Sequence, residues 1–243
     1  MTGPEADDRL VSERRRVSGV YRRYAQSARK RRGWSADNPG NAAIRAELVG
    51  AVLDLAGVDL ARAASVLDVG CGTGWWLELL AGRQEPKALD RAPPALHGME
   101  LLPDRAAAAR ARVPSAQIAI GDARELPYAN ASFDALTLFT VLSSLATLAD
   151  VRRALSEARR VLRPGGVLLV WEPRVRNPLN RATLLISPAL LSSAVTPGRV
   201  QSRLTTVAPP LARRLGGLTE QLYPRLALIE PLLTHRLVCA REP

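Results

Sequence analysis

The chain has 243 residues, of which 47% are apolar and 23% charged, which suffices for the core of one α/β domain and excludes wholesale disorder. Its formal charge of +11 comes from 32 Arg and 2 Lys (Lys30 and Lys87), a bias that a GC-rich genome explains as readily as a polyanion-binding face. Two cysteines, Cys71 and Cys239, allow neither a disulfide framework nor a cysteine zinc site, and they point to a reducing, cytoplasmic setting.

Residues 1–33 read as a charged tail followed by a helical arm. Their basic cluster (Arg14, Arg15, Arg16, Arg22, Arg23, Arg29, Lys30, Arg31, Arg32) reads as a solvated helix ahead of a nucleic-acid site. This start lacks the apolar stretch of a secretion signal, and the apolar run Leu184 to Val195 is broken by Pro188 and too short for a bilayer. Trp34 to Asn41 is rich in turn formers, and Asn41 is expected to cap a helix through about Ala56. Residues 1–41 are accordingly set apart as an arm or lid from a domain spanning 42–243.

Ser65 to Val69 then reads as a strand, Gly74 to Ala81 as a helix, and Leu96 to Leu101 as a second strand. Pro103 opens the next helix and Val113-Pro114 closes it. Gln117 to Ile120 and Phe133 to Phe139 are strands three and four. A helix from Asp150 to Val161 follows, and Pro164-Gly165-Gly166 turns into strand Val167 to Trp171. Helical stretches and two late strands, Arg199 to Thr206 and Leu233 to Ala240, complete the chain. This alternation predicts a doubly wound α/β fold with right-handed crossovers. The expected sheet is seven-stranded and mostly parallel, with one antiparallel strand near the C-terminus.

The strongest motif is Val66-Leu67-Asp68-Val69-Gly70-Cys71-Gly72-Thr73-Gly74, an apolar strand running into alternate glycines and then a helix. Glycine is required where φ is positive or where a ligand meets the backbone with no Cβ between them. A dinucleotide fingerprint would place a third glycine at position 75, where Trp75 stands instead. Glu100 and Asp90 compete for the carboxylate that ends strand two. Glu100 to Asp122 leaves room for one helix and one strand, whereas Asp90 sits among Arg91, Pro93 and Pro94, which is loop chemistry. Glu100 is therefore preferred, with an insertion in the first crossover. Gly121-Asp122-Ala123 follows strand three, and Arg163-Pro164-Gly165-Gly166 precedes strand five.

In this order and spacing the motifs resemble the Rossmann-like class I methyltransferases, which use S-adenosylmethionine (SAM). The resemblance covers roughly residues 60 to 172. It implies that Asp68 orients the turn near the methionyl amine and that Gly70, Cys71, Gly72 and Gly74 admit the methionyl part. It further implies that Glu100 takes the ribose hydroxyls, with Leu101 beside it, and that Asp122 and Ala123 meet the adenine. Phe139 and Thr140, ending strand four, should border the cofactor. By the same resemblance, residues 42–243 form the methyltransferase domain and residues 1–41 its arm.

SAM carries its own activated leaving group, so no memorable catalytic residue is required, and none announces itself. Glu172 ends strand five and His235 begins the last strand; both are candidate bases. Ser144, Arg174, Asn177 and Tyr21 are the candidate acceptor contacts. Strand four ends in Leu138-Phe139-Thr140-Val141, unlike enzymes that methylate exocyclic amines of nucleobases, and no metal-binding set of carboxylates is expected. The favoured expectation is methyl transfer to a small molecule, such as a hydroxyl of a sugar, lipid or secondary metabolite. RNA or protein methylation docked through the basic arm, or a non-catalytic SAM-binding partner, are the alternatives. The residues specify no oligomeric state.

Overall fold

The structure is a computed structural model and describes residues 4–26, 37–82, 93–176, 183–193 and 198–242. The described elements are helix α1 (Pro4–Gln26), helix α2 (Pro39–Arg62), strand β1 (Ser65–Val69), helix α3 (Trp75–Gly82), strand β2 (Ala95–Glu100), helix α4 (Pro103–Arg112), strand β3 (Gln117–Ile120) and strand β4 (Phe133–Phe139). A 3-10 turn at Leu142–Ser144, helix α5 (Leu148–Val161), strand β5 (Leu162–Pro173), helix α6 (Pro188–Ser193), strand β6 (Arg199–Val207), helix α7 (Pro209–Ala212), helix α8 (Thr219–Leu226) and strand β7 (Leu233–Arg241) follow. Asp90 lies outside the described residues.

The seven strands are ordered β3-β2-β1-β4-β5-β7-β6. Strands β1 to β5 pair in parallel, and the order reverses between β1 and β4. A crevice outside the carboxyl ends of the strands at such a reversal is where open α/β sheets bind ligands. The Glu242 N–H donates to Gly166 O at 2.9 Å, joining the end of β7 to the beginning of β5, so β7 runs antiparallel as expected. Nearly continuous burial along β4 fits a parallel strand covered on both faces. One cover is α5, whose Val151, Ala154, Leu155, Ala158 and Val161 recur at helical spacing and are all buried.

Helices α1 and α2 and strand β5 depart from the sequence expectation. Helix α2 begins at Pro39 instead of at an Asn41 cap. Asn38 supplies the cap, its Oδ1 accepting the Gly40 N–H at 2.9 Å, and proline is preset for the first helical position. Asn41 instead accepts from Arg213 Nε at 2.8 Å, and the helix continues past Ala56 to Arg62 because no proline interrupts it. Strand β5 starts at Leu162, ahead of the expected turn. The register against β4 shifts between Phe133↔Leu162 and Ala135↔Val167, so Pro164 to Gly166 form a bulge within the strand, with Gly165 at φ 75°. Helix α1 is already helical from Pro4, where a tail was expected.

The chain divides into two compact units, one within Met1–Ala51 and Leu204–His235, the other within Val52–Arg203 and Arg236–Pro243. In the first, Tyr223 Oη donates to Glu47 Oε2 at 2.6 Å and the Thr206 N–H donates to the same oxygen at 2.8 Å. In the second, Arg241 pairs with Asp59 at 2.7 Å. No helix among the described residues is long and apolar enough to cross a membrane.

Candidate functional site

The glycine turn leaves β1 at the strand-order reversal, within the second unit. Gly70, Gly72 and Gly74 stand at φ 71°, 59° and 83°, a backbone that side chains resist. The Gly70 and Cys71 N–H groups donate to Met99 O at 2.7 and 3.0 Å, tying the turn to β2. The space that a Cβ would need is filled differently at each glycine. At Gly70 it would collide with Val141 Cγ2, and at Gly74 it would lie 3.2 Å from Ala109 Cα. At Gly72 it would lie 2.5 Å from Arg105 Nη2, the far end of a flexible side chain. Burial pushes the Cys71 thiol up, so it is no nucleophile.

Two carboxylates flank the turn. Asp68, on β1 opposite Thr137 of β4, is buried, and its Oδ1 accepts from Thr137 Oγ1 at 2.6 Å. Burial raises its carboxyl to about 7, and the nearby Glu100 charge acts in the same direction. Glu100 ends β2 with 7% exposure. Its Oε2 accepts the Gly72 N–H at 2.9 Å and its Oε1 the Leu102 N–H at 3.0 Å. Arg105 Nε lies 3.8 Å from Oε2. Leu101 is half-buried beside it. This acid and the glycine turn are thereby joined by a direct hydrogen bond.

Asp122 and Ala123 follow β3, and Ala123 is buried. Both Asp122 oxygens accept from Arg124, whose Nη2 approaches Oδ2 at 2.6 Å and whose Nε lies 3.0 Å from Oδ1. Arg124 Nη1 also donates to Asp150 Oδ1 at 2.9 Å, tying this turn to α5. Arg124 thereby engages both oxygens of Asp122.

The far side of the reversal is built from the end of β4. Thr140 has φ 58°, an uncommon value for a threonine, and is exposed. Its N–H donates to Trp171 O at 2.7 Å, and its Oγ1 donates to Phe139 O at 2.7 Å. Phe139 meets Trp76 edge-on at 5.3 Å and Trp171 at 6.3 Å. Ser144 is exposed and donates to Val141 O at 2.6 Å. Glu172 is 2% exposed. Its carboxylate accepts the Leu142 N–H at 2.7 Å and the Ser143 N–H at 3.2 Å. Burial raises it to about 7 against the pull of these bonds. An acid so enclosed holds the 142–144 turn in place, where the sequence had suggested an acceptor-facing base.

The remaining candidates are not gathered around this crevice by any described contact. Arg174 is half-buried just beyond β5. Asn177 and the Tyr21 side chain lie outside the described residues. His235 belongs to the first unit; burial lowers its imidazole to about 4, and Nδ1 lies 3.0 Å from Thr234 Oγ1. Sequence reasoning missed Thr137, Arg105 and Arg124. Thr137 was signalled as a polar residue inside an apolar strand, while the two arginines carry no signal until the register places them beside Glu100 and Asp122.

Residues 67–170 match the model of a family described as a methyltransferase domain. A probable S-adenosylmethionine-dependent methyltransferase of Mycolicibacterium smegmatis is 38% identical over 108 residues, 44% of this chain and 37% of that protein. The dTDP-4-amino-2,3,4,6-tetradeoxy-D-glucose N,N-dimethyltransferase of Saccharopolyspora spinosa is 34% identical over 128 residues, 51% of this chain and 47% of that protein. These matches span less than half of either relative. Among solved structures, a SAM-dependent methyltransferase from Archaeoglobus fulgidus aligns with TM-score 0.55 and 17% identity, over 80% of this chain and 93% of that one. The cyclase SpnF aligns with TM-score 0.57 and 22% identity, over 81% and 80%. Such distant likenesses establish the shared fold. Through residues 67–170 the chain is thus similar to methyltransferase domains, and it shares the fold of S-adenosylmethionine-dependent methyltransferases.

Proposed function

We propose that the chain binds SAM at the carboxyl ends of β1, β2 and β4 and passes its methyl group to a small-molecule acceptor, a hydroxyl or amine on a sugar, lipid or secondary metabolite. The observation that carries the reading is the pairing of Glu100 with the Gly72 N–H. It puts a buried carboxylate, able to accept from a ribose diol, against the backbone of the glycine turn. SAM supplies a methyl group already activated on a sulfonium. Asp68 braces the turn through Thr137, while Asp122 and Ala123 offer an acceptor and an N–H for adenine. Phe139, Thr140 and Ser144 border the place where an acceptor meets the methyl, with Arg174 as a further acceptor contact.

Glu172 holds the 142–144 turn, and His235, at about 4, is only a weak base. The reading therefore rests on alignment of the reactants, which accounts for up to about 7–11 kcal/mol of an acceleration of this kind. The amino-sugar dimethyltransferase among the relatives favours a sugar-like acceptor.

Titration calorimetry of the full chain tests the cofactor half of the proposal. SAM and its demethylated product S-adenosylhomocysteine (SAH) should bind with Kd on the order of micromolar. Glu100→Ala should weaken both by about 1.5–3 kcal/mol, the range for removing a charged hydrogen-bond partner. Glu100→Gln, which keeps the side-chain shape, guards against mere loss of fold. Absence of binding to a folded wild-type chain would sink the reading, and unimpaired Glu100 variants would pass the ribose to another acid.

A further inference from the structure

We propose that Arg105 is a gate on nucleoside binding: its guanidinium covers Gly72 beside Glu100 and has to swing away for the ribose to reach that acid. The inference rests on the cofactor reading above. Of the three glycines in the turn, Gly70 and Gly74 abut fixed parts of the fold, namely Val141 on the loop after β4 and the α4 backbone at Ala109. Their missing Cβ atoms serve internal packing. Gly72 alone faces something movable, since its Cβ position lies 2.5 Å from Arg105 Nη2. Any ligand that meets the turn with no Cβ in the way meets it at Gly72, and there it meets the arginine first.

Arg105 also competes for the same acid. Its Nε is 3.8 Å from Glu100 Oε2, the oxygen that already accepts the Gly72 N–H. With Leu102 N–H on the other oxygen, Glu100 has each oxygen partly engaged before a diol arrives. The Arg105 side chain is 31% exposed, so it has solvent to move into, and it stands in the first turn of α4, a position from which a long side chain can sweep. The Arg105 charge repels the cationic sulfonium of SAM even after the side chain has swung aside, whereas SAH carries no charge on sulfur. The gate therefore weighs more heavily on SAM than on its product.

Arg105→Met keeps an unbranched apolar stem and removes the guanidinium with its charge and donors. Titration calorimetry with SAH and with SAM, on wild type and variant full chains of equal thermal stability, reads the effect. SAH should bind about threefold tighter to the variant, as expected for releasing a partly exposed ion pair, and SAM should gain more than SAH. Arg105→Lys, which keeps charge but shortens reach, should fall between the two. Equal or weaker binding to Arg105→Met would overturn the gate, weaker binding making Arg105 a direct ligand contact. Failure of both wild type and variant to bind either nucleoside would overturn the gate together with the cofactor reading, whereas normal wild-type binding with no gain in the variant overturns the gate alone.

Discussion

Thr137 shows how a single polar atom can decide the state of an acid. It is buried in an otherwise apolar stretch of β4, and its hydroxyl donates to Asp68 at 2.6 Å. Burial already holds the Asp68 carboxyl near 7, so this donor is one of the few features favouring the ionised form. Thr137→Val keeps the shape and removes the donor. The folded chain should lose about 1–3 kcal/mol, because the acid is left with a poorer partner in a place it cannot leave. Urea denaturation at pH 7.5 measures this, and an unchanged midpoint would mean that Asp68 draws its support from elsewhere. The places of Asp68 and Glu100 in the fold were legible in the sequence because an acid within or ending a short apolar strand is a local pattern. Arg105 and Arg124 were not, since they matter only through neighbours that the fold supplies.

Elements were legible to the extent that their ends are written in adjacent residues. Strands β1, β3 and β4 span the residues that alternation and turn formers mark, and β2 is displaced by a single position. Helix α2 was misplaced at its start because Asn38 and Asn41 offer the same side-chain chemistry, and only the structure shows which one meets a free N–H. Helix α5 starts at Leu148, ahead of the expected Asp150, because Thr147 caps it. Thr147 Oγ1 accepts the Asp150 N–H at 3.1 Å, and Asp150 Oδ2 accepts the Thr147 N–H at 3.1 Å, a reciprocal box. Thr147→Ala should cost about 1 kcal/mol in a thermal or urea melt, the usual worth of such a cap. Asp150 keeps its bond to Arg124, so SAH affinity by calorimetry should be unaltered. A loss of affinity instead would show that the cap sets the Asp122 turn.

At the scale of the whole molecule, the buried titratable groups pull stability in opposite directions with pH. Glu172 moves from an ordinary 4.5 to about 7 on folding, and Asp68 from 3.8 to about 7. Within those windows the folded carboxyl keeps a proton that the unfolded chain has released. Their contribution is thus complete at low pH and disappears as pH rises through 7. His235 moves from 6.5 down to about 4, so its contribution is present above 6.5 and disappears as pH falls through 4. The wild-type profile alone mixes the two signs, but a comparison with Glu172→Gln isolates one group, because glutamine does not titrate. Relative to wild type, the glutamine variant should gain about 2–3 kcal/mol between pH 5 and pH 8, the scale of a shift of this size. Urea midpoints of both proteins at the two pH values measure the gap. A gap that stays constant would mean that Glu172 is ionised throughout, with the Leu142 and Ser143 amides outweighing its burial; the 142–144 turn would then be anchored by a charge at every pH at which the protein is folded.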